Sequence, residues 1–294
     1  MKVLKSLFSG PAPWTLKSNL AYETLYQVDV SVVVTLYNYQ EYIGECLESL
    51  VAAIRFDPAL VVEVIVVDDA STDSGAAVVM AMAQAYPDLP LLLVKKSQNS
   101  GLSRSRNLAL KLARGQAAFI LDADNLIKPA CLSLLYDHLR QSEADAVYPC
   151  IEKFWTLDGK VVDTVSSQPF DLTRLLSANY IDAMAMFSVK SLFEIGLYDV
   201  GMVHGWEDYD VWLSMGFAGL RVESLPRVLG GYRLHADSML IRFTSHALEV
   251  GRYLYDKHRH ALPSLPEDAV LFGSPLSLLR DGEMAQQAAV TQDG

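Results

Sequence analysis

The stretch Val30-Ser31-Val32-Val33-Val34-Thr35-Leu36 and the amphipathic run behind it, residues 39–54, decide the architecture of this chain. The first is β-branched almost throughout and reads as a strand. In the second, Ile43, Leu47, Leu50, Val51 and Ile54 recur at helical spacing. The same pair then repeats. A strand over 62–67 precedes a helix over 73–86 that Pro87 stops. A strand over 91–94 precedes a helix over 103–113 with Gly115 as its end signal. A strand over 117–121 precedes a helix over 129–140, with Pro129 suited to the first turn. The strands lack polar alternation, which implies burial on both faces. The expectation is an α/β fold with a mostly parallel sheet flanked by helices.

Outside that rhythm the signals change. Residues 16–26 suggest a short helix within an N-terminal extension, 1–27. After Val147, residues 148–165 suggest antiparallel strands around an Asp158-Gly159 turn. Residues 209–218 are apolar nearly all round and read as a buried helix. A further helix is expected over 244–258, within a C-terminal segment 241–294 that ends in a polar tail.

Composition narrows the function. The chain has 294 residues, is 51% apolar and 20% charged, and carries a net charge of −11. That acidity argues against broad binding to nucleic-acid phosphates. Cys46, Cys131 and Cys150 are scattered without a C-x-x-C spacing, so they read as reduced core thiols. Residues 1–14 hold only a broken apolar stretch, too short for a signal peptide. No run approaches the ~18 apolar residues of a membrane span. The expectation is a cytoplasmic protein, with any membrane association peripheral and at the inner face.

Chemistry concentrates at three acidic points. In Phe119-Ile120-Leu121-Asp122-Ala123-Asp124-Asn125 a strand empties into two carboxylates at i and i+2. Such positions share a face in an extended chain, so Asp122 and Asp124 could close on one hard cation. Asp68-Asp69 ends the second strand, where either carboxylate could accept the ring N–H of a pyrimidine, while residues 69–73 are expected to cap the next helix through Asp73 or Ser71. Glu207-Asp208 opens the buried helix, where the helix dipole favours carboxylates in any case. Asp208 shares a face with Val211, Trp212 and Met215 and should point inward. Desolvation makes a carboxylate more basic, which suits a general base. Arg106 could pin the acidic cluster or reach a diphosphate. Trp206 fits a sugar pocket or the core equally.

In this order, Val32-Val33-Val34-Thr35-Leu36-Tyr37-Asn38, Val66-Val67-Asp68-Asp69-Ala70-Ser71-Thr72-Asp73, Asn99-Ser100-Gly101-Leu102-Ser103-Arg104-Ser105-Arg106-Asn107 and Leu121-Asp122-Ala123-Asp124 resemble the nucleotide-sugar half of family 2 glycosyltransferases. Gly205-Trp206-Glu207-Asp208-Tyr209-Asp210 and Tyr232-Arg233-Leu234-His235-Ala236-Asp237-Ser238 resemble that family's acceptor-half motifs. The resemblance implies a GT-A fold over 28–240, divided into a nucleotide-sugar half, 28–126, and an acceptor half, 127–240. It implies inversion, a nucleotide-sugar donor and Mn²⁺ or Mg²⁺. It places Thr35 and Asp69 at the base, Asp122 at ribose and metal, Asp124 on the metal, His235 as a further ligand, and Asp208 as the catalytic base. Glu207 and Trp206 are expected near the sugar.

A UDP- or dTDP-sugar is favoured, since cytosine lacks the ring donor; guanine also carries a ring N–H, so a GDP-sugar stays open. The acceptor is a hydroxyl of a glycan, a lipid-linked saccharide or another molecule. The chain lacks Gln-x-x-Arg-Trp, the motif of processive synthases, which favours transfer of one sugar at a time. Two alternatives remain at this level: a nucleotide-sugar-binding protein without turnover, and a sugar-1-phosphate nucleotidyltransferase. The second would need a Gly-rich, Arg-containing loop where Thr35-Leu36-Tyr37-Asn38-Tyr39 stands.

Overall fold

The computed structural model describes residues 13–235, 246–262, 264–266 and 268–280. Its centre is four parallel strands, β2 (Val30–Leu36), β3 (Val62–Asp68), β4 (Leu91–Lys96) and β5 (Ala117–Asp122), laid side by side in the order β4-β3-β2-β5. Helices α2 (Ile43–Phe56), α3 (Gly75–Ala85), α4 (Leu102–Leu112) and α5 (Cys131–Ser142) follow these strands in turn. Every residue of β2 and β3 is buried. Val32 and Val34 enter one apolar layer with α2, α3 and α5, while Val33 enters the other with α4 and α8 (Glu207–Phe217). Burial on both faces explains the unbroken Val/Ile runs.

The expected helix over 16–26 is corrected. Trp14–Ser18 forms a strand, β1, antiparallel to β4, and only Leu20–Thr24 is helical (α1), opened by Asn19, whose side chain accepts from Tyr22 N. The edge of β4 supplies hydrogen-bond partners that outweigh a weak helical pattern. This segment is also tied to Glu63, a fully buried carboxylate in β3. Glu63 accepts from Ser31 Oγ (2.6 Å), Arg114 N (2.7 Å) and Arg114 Nε (2.6 Å), and Arg114 also donates to Tyr22 O (3.2 Å) and lies over the Tyr22 ring.

Beyond β5 the sheet becomes mixed. β9 (Met186–Ser188) pairs antiparallel with both β5 and β7 (Ala146–Trp155). β7 runs parallel to the long β10 (Val222–Leu234), and β6 (Leu126–Ile127) closes the far edge. β8 (Val161–Val165) forms the expected hairpin with β7 around Gly159, whose φ is +67°. Short helices α6 (Leu172–Ser177) and α7 (Val189–Glu194) fill the connections. The C-terminal helix α9 (Ala247–His258) packs Val250, Leu254 and Tyr255 into the second apolar layer. Asp210 of α8, 1% exposed, accepts from Lys257 Nζ (2.7 Å) and is paired with His258 Nε2 (2.8 Å). All three cysteines are buried free thiols. Among the described residues no helix is long and apolar enough to cross a membrane.

Candidate active site

The strand order reverses between β2 and β5, because the chain steps outward through β3 and β4 before returning beside β2. Open α/β sheets bind ligands at such a point, beyond the carboxyl ends of the strands. Thr35 and Asp122 are register partners there, and Thr35 Oγ1 donates to Asp122 Oδ1 at 3.2 Å. A cleft of about 930 Å³ opens above them. Thr35, Asp69, Asp122, Asp124 and Glu207 line it, together with the 99–105 segment and Tyr39, Tyr42 and Tyr232. Asp68, Arg106, Trp206, Asp208 and His235 are not among its lining residues.

Asp68 and Asp69 do different work. Asp68 is fully buried and accepts from Ser71 N at 2.9 Å, holding the turn after β3. Asp69 accepts from Ser100 N (3.0 Å) and Gly101 N (2.8 Å), and Lys96 Nζ pairs with its Oδ1. These bonds draw the Gly101 segment, with φ +90° at the glycine, against the sheet. Two of the three fall on Oδ1, so Asp69 Oδ2 retains acceptor capacity. Of the two expected caps, Asp73 serves α3: its Oδ1 accepts from Gly75 N at 2.9 Å.

Arg106 takes the first of its two expected roles. It is fully buried, donating to Asp122 Oδ1 (2.8 Å) and Glu207 Oε1 (2.6 Å) with its guanidinium over the Tyr198 ring. Burial works against its charge, but Asp122 and Glu207 hold its pKa above the ordinary arginine value. The arginine thus ties the end of β5 to the start of α8.

Asp124 faces His235, whose Nε2 lies 3.0 Å from Asp124 Oδ2. Burial pushes the Asp124 carboxyl upward, against the pull of His235. His235 sits 4.9 Å from the Tyr42 ring, centroid to centroid, and its Nδ1 is buried without a partner among the described residues. Arg233 braces the same corner by donating to Asp124 O (2.8 Å) and Glu45 Oε2 (2.6 Å). The bonds on Asp122 fall on Oδ1 and that on Asp124 falls on Oδ2, so each carboxylate keeps a second oxygen. Two carboxylates beside an imidazole form a donor set that fits Mg²⁺ or Mn²⁺. Ala236-Asp237-Ser238, the end of the last motif, lies outside the described residues.

The start of α8 is sharply wound, with Gly205 at φ +85° and Trp206 at φ +63°. Trp206 packs beside Tyr209 on the second apolar layer, the core alternative of its two readings. Asp208 points into protein, accepting from Asn179 Nδ2 at 3.3 Å and from Tyr209 N at 2.8 Å. Burial first, then the Glu207 and Asp182 carboxylates, push its pKa up to about 8. Asp182 itself is raised to about 6, by burial and then by Asp122 and Asp124, against a bond from Met184 N. Sequence reasoning missed Asp182, Asn179, Lys96 and Arg233. Asp182 carried a signal as an acid inside the otherwise uncharged run Tyr180-Ile181-Asp182-Ala183-Met184, and Arg233 stood inside the Tyr232–Ser238 motif.

Known proteins share this fold. S. aureus TarS 1–349, solved in complex with UDP-GlcNAc, superposes with a TM-score of 0.65 at 22% identity, over 81% of this chain and 68% of that one. A mannosyltransferase from Pyrobaculum calidifontis, in complex with GDP-Man and Mn²⁺, gives 0.62 at 21% identity over 100% and 81%. These likenesses establish the GT-A fold. In sequence, the Streptococcus pneumoniae glycosyltransferase GlyG is 27% identical over 146 residues, 50% of this chain and 46% of its own. The chain therefore spans less than half of that relative. Residues 31–192, which carry the switch point, the Asp68-Asp69 turn and Asp122 with Asp124, match the sequence profile of the family itself, and on that match the chain belongs to glycosyl transferase family 2.

Proposed function

We propose that this chain is an inverting, metal-dependent glycosyltransferase. It would move a single sugar from a nucleotide-diphosphate sugar to a hydroxyl of a glycan, lipid-linked or other acceptor. One observation carries the reading: Asp122 and Asp124 line the same cleft as Asp69 and Thr35, while a carboxyl raised to about 8, Asp208, stands next in chain to cleft-lining Glu207. UDP- and dTDP-sugars are favoured. Asp69 Oδ2 can still accept a ring N–H, which uracil and thymine offer and cytosine does not. The related structures holding UDP-GlcNAc, and GDP-Man with Mn²⁺, support a nucleotide-sugar donor and a divalent ion.

In this reading Asp122, Asp124 and His235 would hold Mn²⁺ or Mg²⁺, which when bound would stabilise negative charge on the departing diphosphate. Arg106 fixes Asp122 and Glu207 in place, so the carboxylates need no reorganisation as that charge develops. Asp208 takes the proton of the acceptor hydroxyl. The freed oxygen attacks the anomeric carbon from the face opposite the nucleotide, and the bond to the diphosphate oxygen breaks with its electron pair leaving on the nucleotide. One displacement inverts the carbon and needs no covalent nucleophile on the enzyme.

Calorimetric titration with UDP, dTDP, GDP and CDP, each with and without Mn²⁺, tests the reading. Metal-dependent binding of UDP or dTDP, weakened in Asp124→Asn, is the expected result. No binding of any nucleotide to folded protein would overturn it.

A further inference from the structure

On the other side of the Gly205-Trp206 turn stands a cluster that the donor chemistry does not use. His204 lies between Val203 and Gly205, which line the cleft. His246 precedes α9, and Glu249 follows three residues later in its first turn. One ligand atom from each of the three lies within 4.8 Å of the other two, and no other such trio of His, Cys, Asp or Glu occurs among the described residues. The His204 and His246 rings lie parallel, with centroids 4.1 Å apart, and His204 Nε2 is 3.8 Å from Glu249 Oε1.

We propose that His204, His246 and Glu249 form a second metal site that takes Zn²⁺, separate from the donor cleft. Two imidazoles, one carboxylate and a fourth position open to water make a donor set suited to this ion. Zinc–ligand bonds of about 2.0–2.2 Å in a tetrahedron require ligand atoms about 3.4 Å apart. The present spacing reaches that value if the side chains close by about 1 Å and the stacked rings splay. All three residues are half-buried or exposed. Nitrogen donors favour Zn²⁺ here, whereas the carboxylate-rich corner at Asp122 and Asp124 suits harder cations.

The ion would join two distant stretches of chain, the turn that feeds Glu207 and Asp208 and the first turn of α9. At its other end α9 is already tied to α8 through Lys257, His258 and Asp210. Zinc would therefore tie the start of α9 to the turn before α8, whose first turn already holds the far end of α9 through Asp210. Donor binding would not depend on it.

Competition titration of the chelator-stripped, full-length protein with Zn²⁺, against a chromophoric chelator, tests the site. The wild type should bind one equivalent with a rise in Tm. His204→Ala and His246→Ala should each bind at least tenfold more weakly and lose the Tm rise, while still binding nucleotide with Mn²⁺. Asp124→Asn should keep the zinc equivalent. Unchanged zinc affinity in both histidine variants would overturn the proposal, as would loss of the zinc equivalent in Asp124→Asn, which would put the ion in the donor cleft.

Discussion

Asp208 stands partly buried at the first turn of α8, and its pKa is raised to about 8, because burial and the Glu207 and Asp182 carboxylates all oppose its charge. A base must be deprotonated to act, so kcat/KM should rise with pH along a limb near 8. Asp182→Asn removes one of the opposing charges and should move that limb to lower pH, which a pH–rate profile would read directly. Asp208→Asn should leave nucleotide binding intact and cut turnover by about 10²–10⁴-fold. The same shift has a sign for stability. A carboxyl raised in the folded state favours folding fully below its ordinary pKa of about 4, and that contribution is lost as pH rises towards 8. Asp208→Asn should therefore match or exceed the wild-type Tm at pH 8, with the gain fading towards pH 4. The inward face of Asp208 was legible from its spacing to Val211, Trp212 and Met215. The company of Asp182 was not, since 26 residues and a strand separate the two.

At the scale of elements, the parallel strands β2 to β5 were readable almost to the residue. β2 occupies Val30–Leu36 and β5 runs Ala117–Asp122, because segments buried on both faces are mostly apolar, and β5 ends where the acids begin. Helix starts were less legible: α2 begins at Ile43 and not at residue 39, and α5 at Cys131, two residues after Pro129. Gly115 marked the end of a helix in the sequence, but its position has a further cause. A Cβ there would lie 2.7 Å from Ser31 N and 2.8 Å from Ala117 O, so the strand crossing demands glycine. The joint between α8 and α9 had no local signal. Lys257 donates to Asp199 (2.6 Å) and Asp210 (2.7 Å). Lys257→Met should leave the buried Asp210 with His258 alone and cost about 2 kcal/mol, below the usual loss for a broken buried pair because Lys257 is partly solvated. At roughly 2–4 °C per kcal/mol for a chain of this size, calorimetry would show Tm lower by several degrees.

For the whole molecule, a ligand that binds only the folded chain raises its stability by mass action. UDP with Mn²⁺ at about 100 times its Kd should add about 2.7 kcal/mol, read as a higher Tm. CDP should give no such rise, and Asp124→Asn should abolish the UDP effect. Sequence alone determined the α/β class, the four parallel strands, the membership resemblance and the acids at the strand ends. Those features follow from periodicity and from short-range spacing, which are local properties of a chain. Only the tertiary structure decided that Trp14–Ser18 completes the sheet edge, that Arg106 joins Asp122 to Glu207, the latter 101 residues further along the chain than the arginine, and that His204 meets His246 and Glu249. Each is a pairing between groups far apart in sequence, and a pairing of that kind exists only once the sheet has brought its crossovers together.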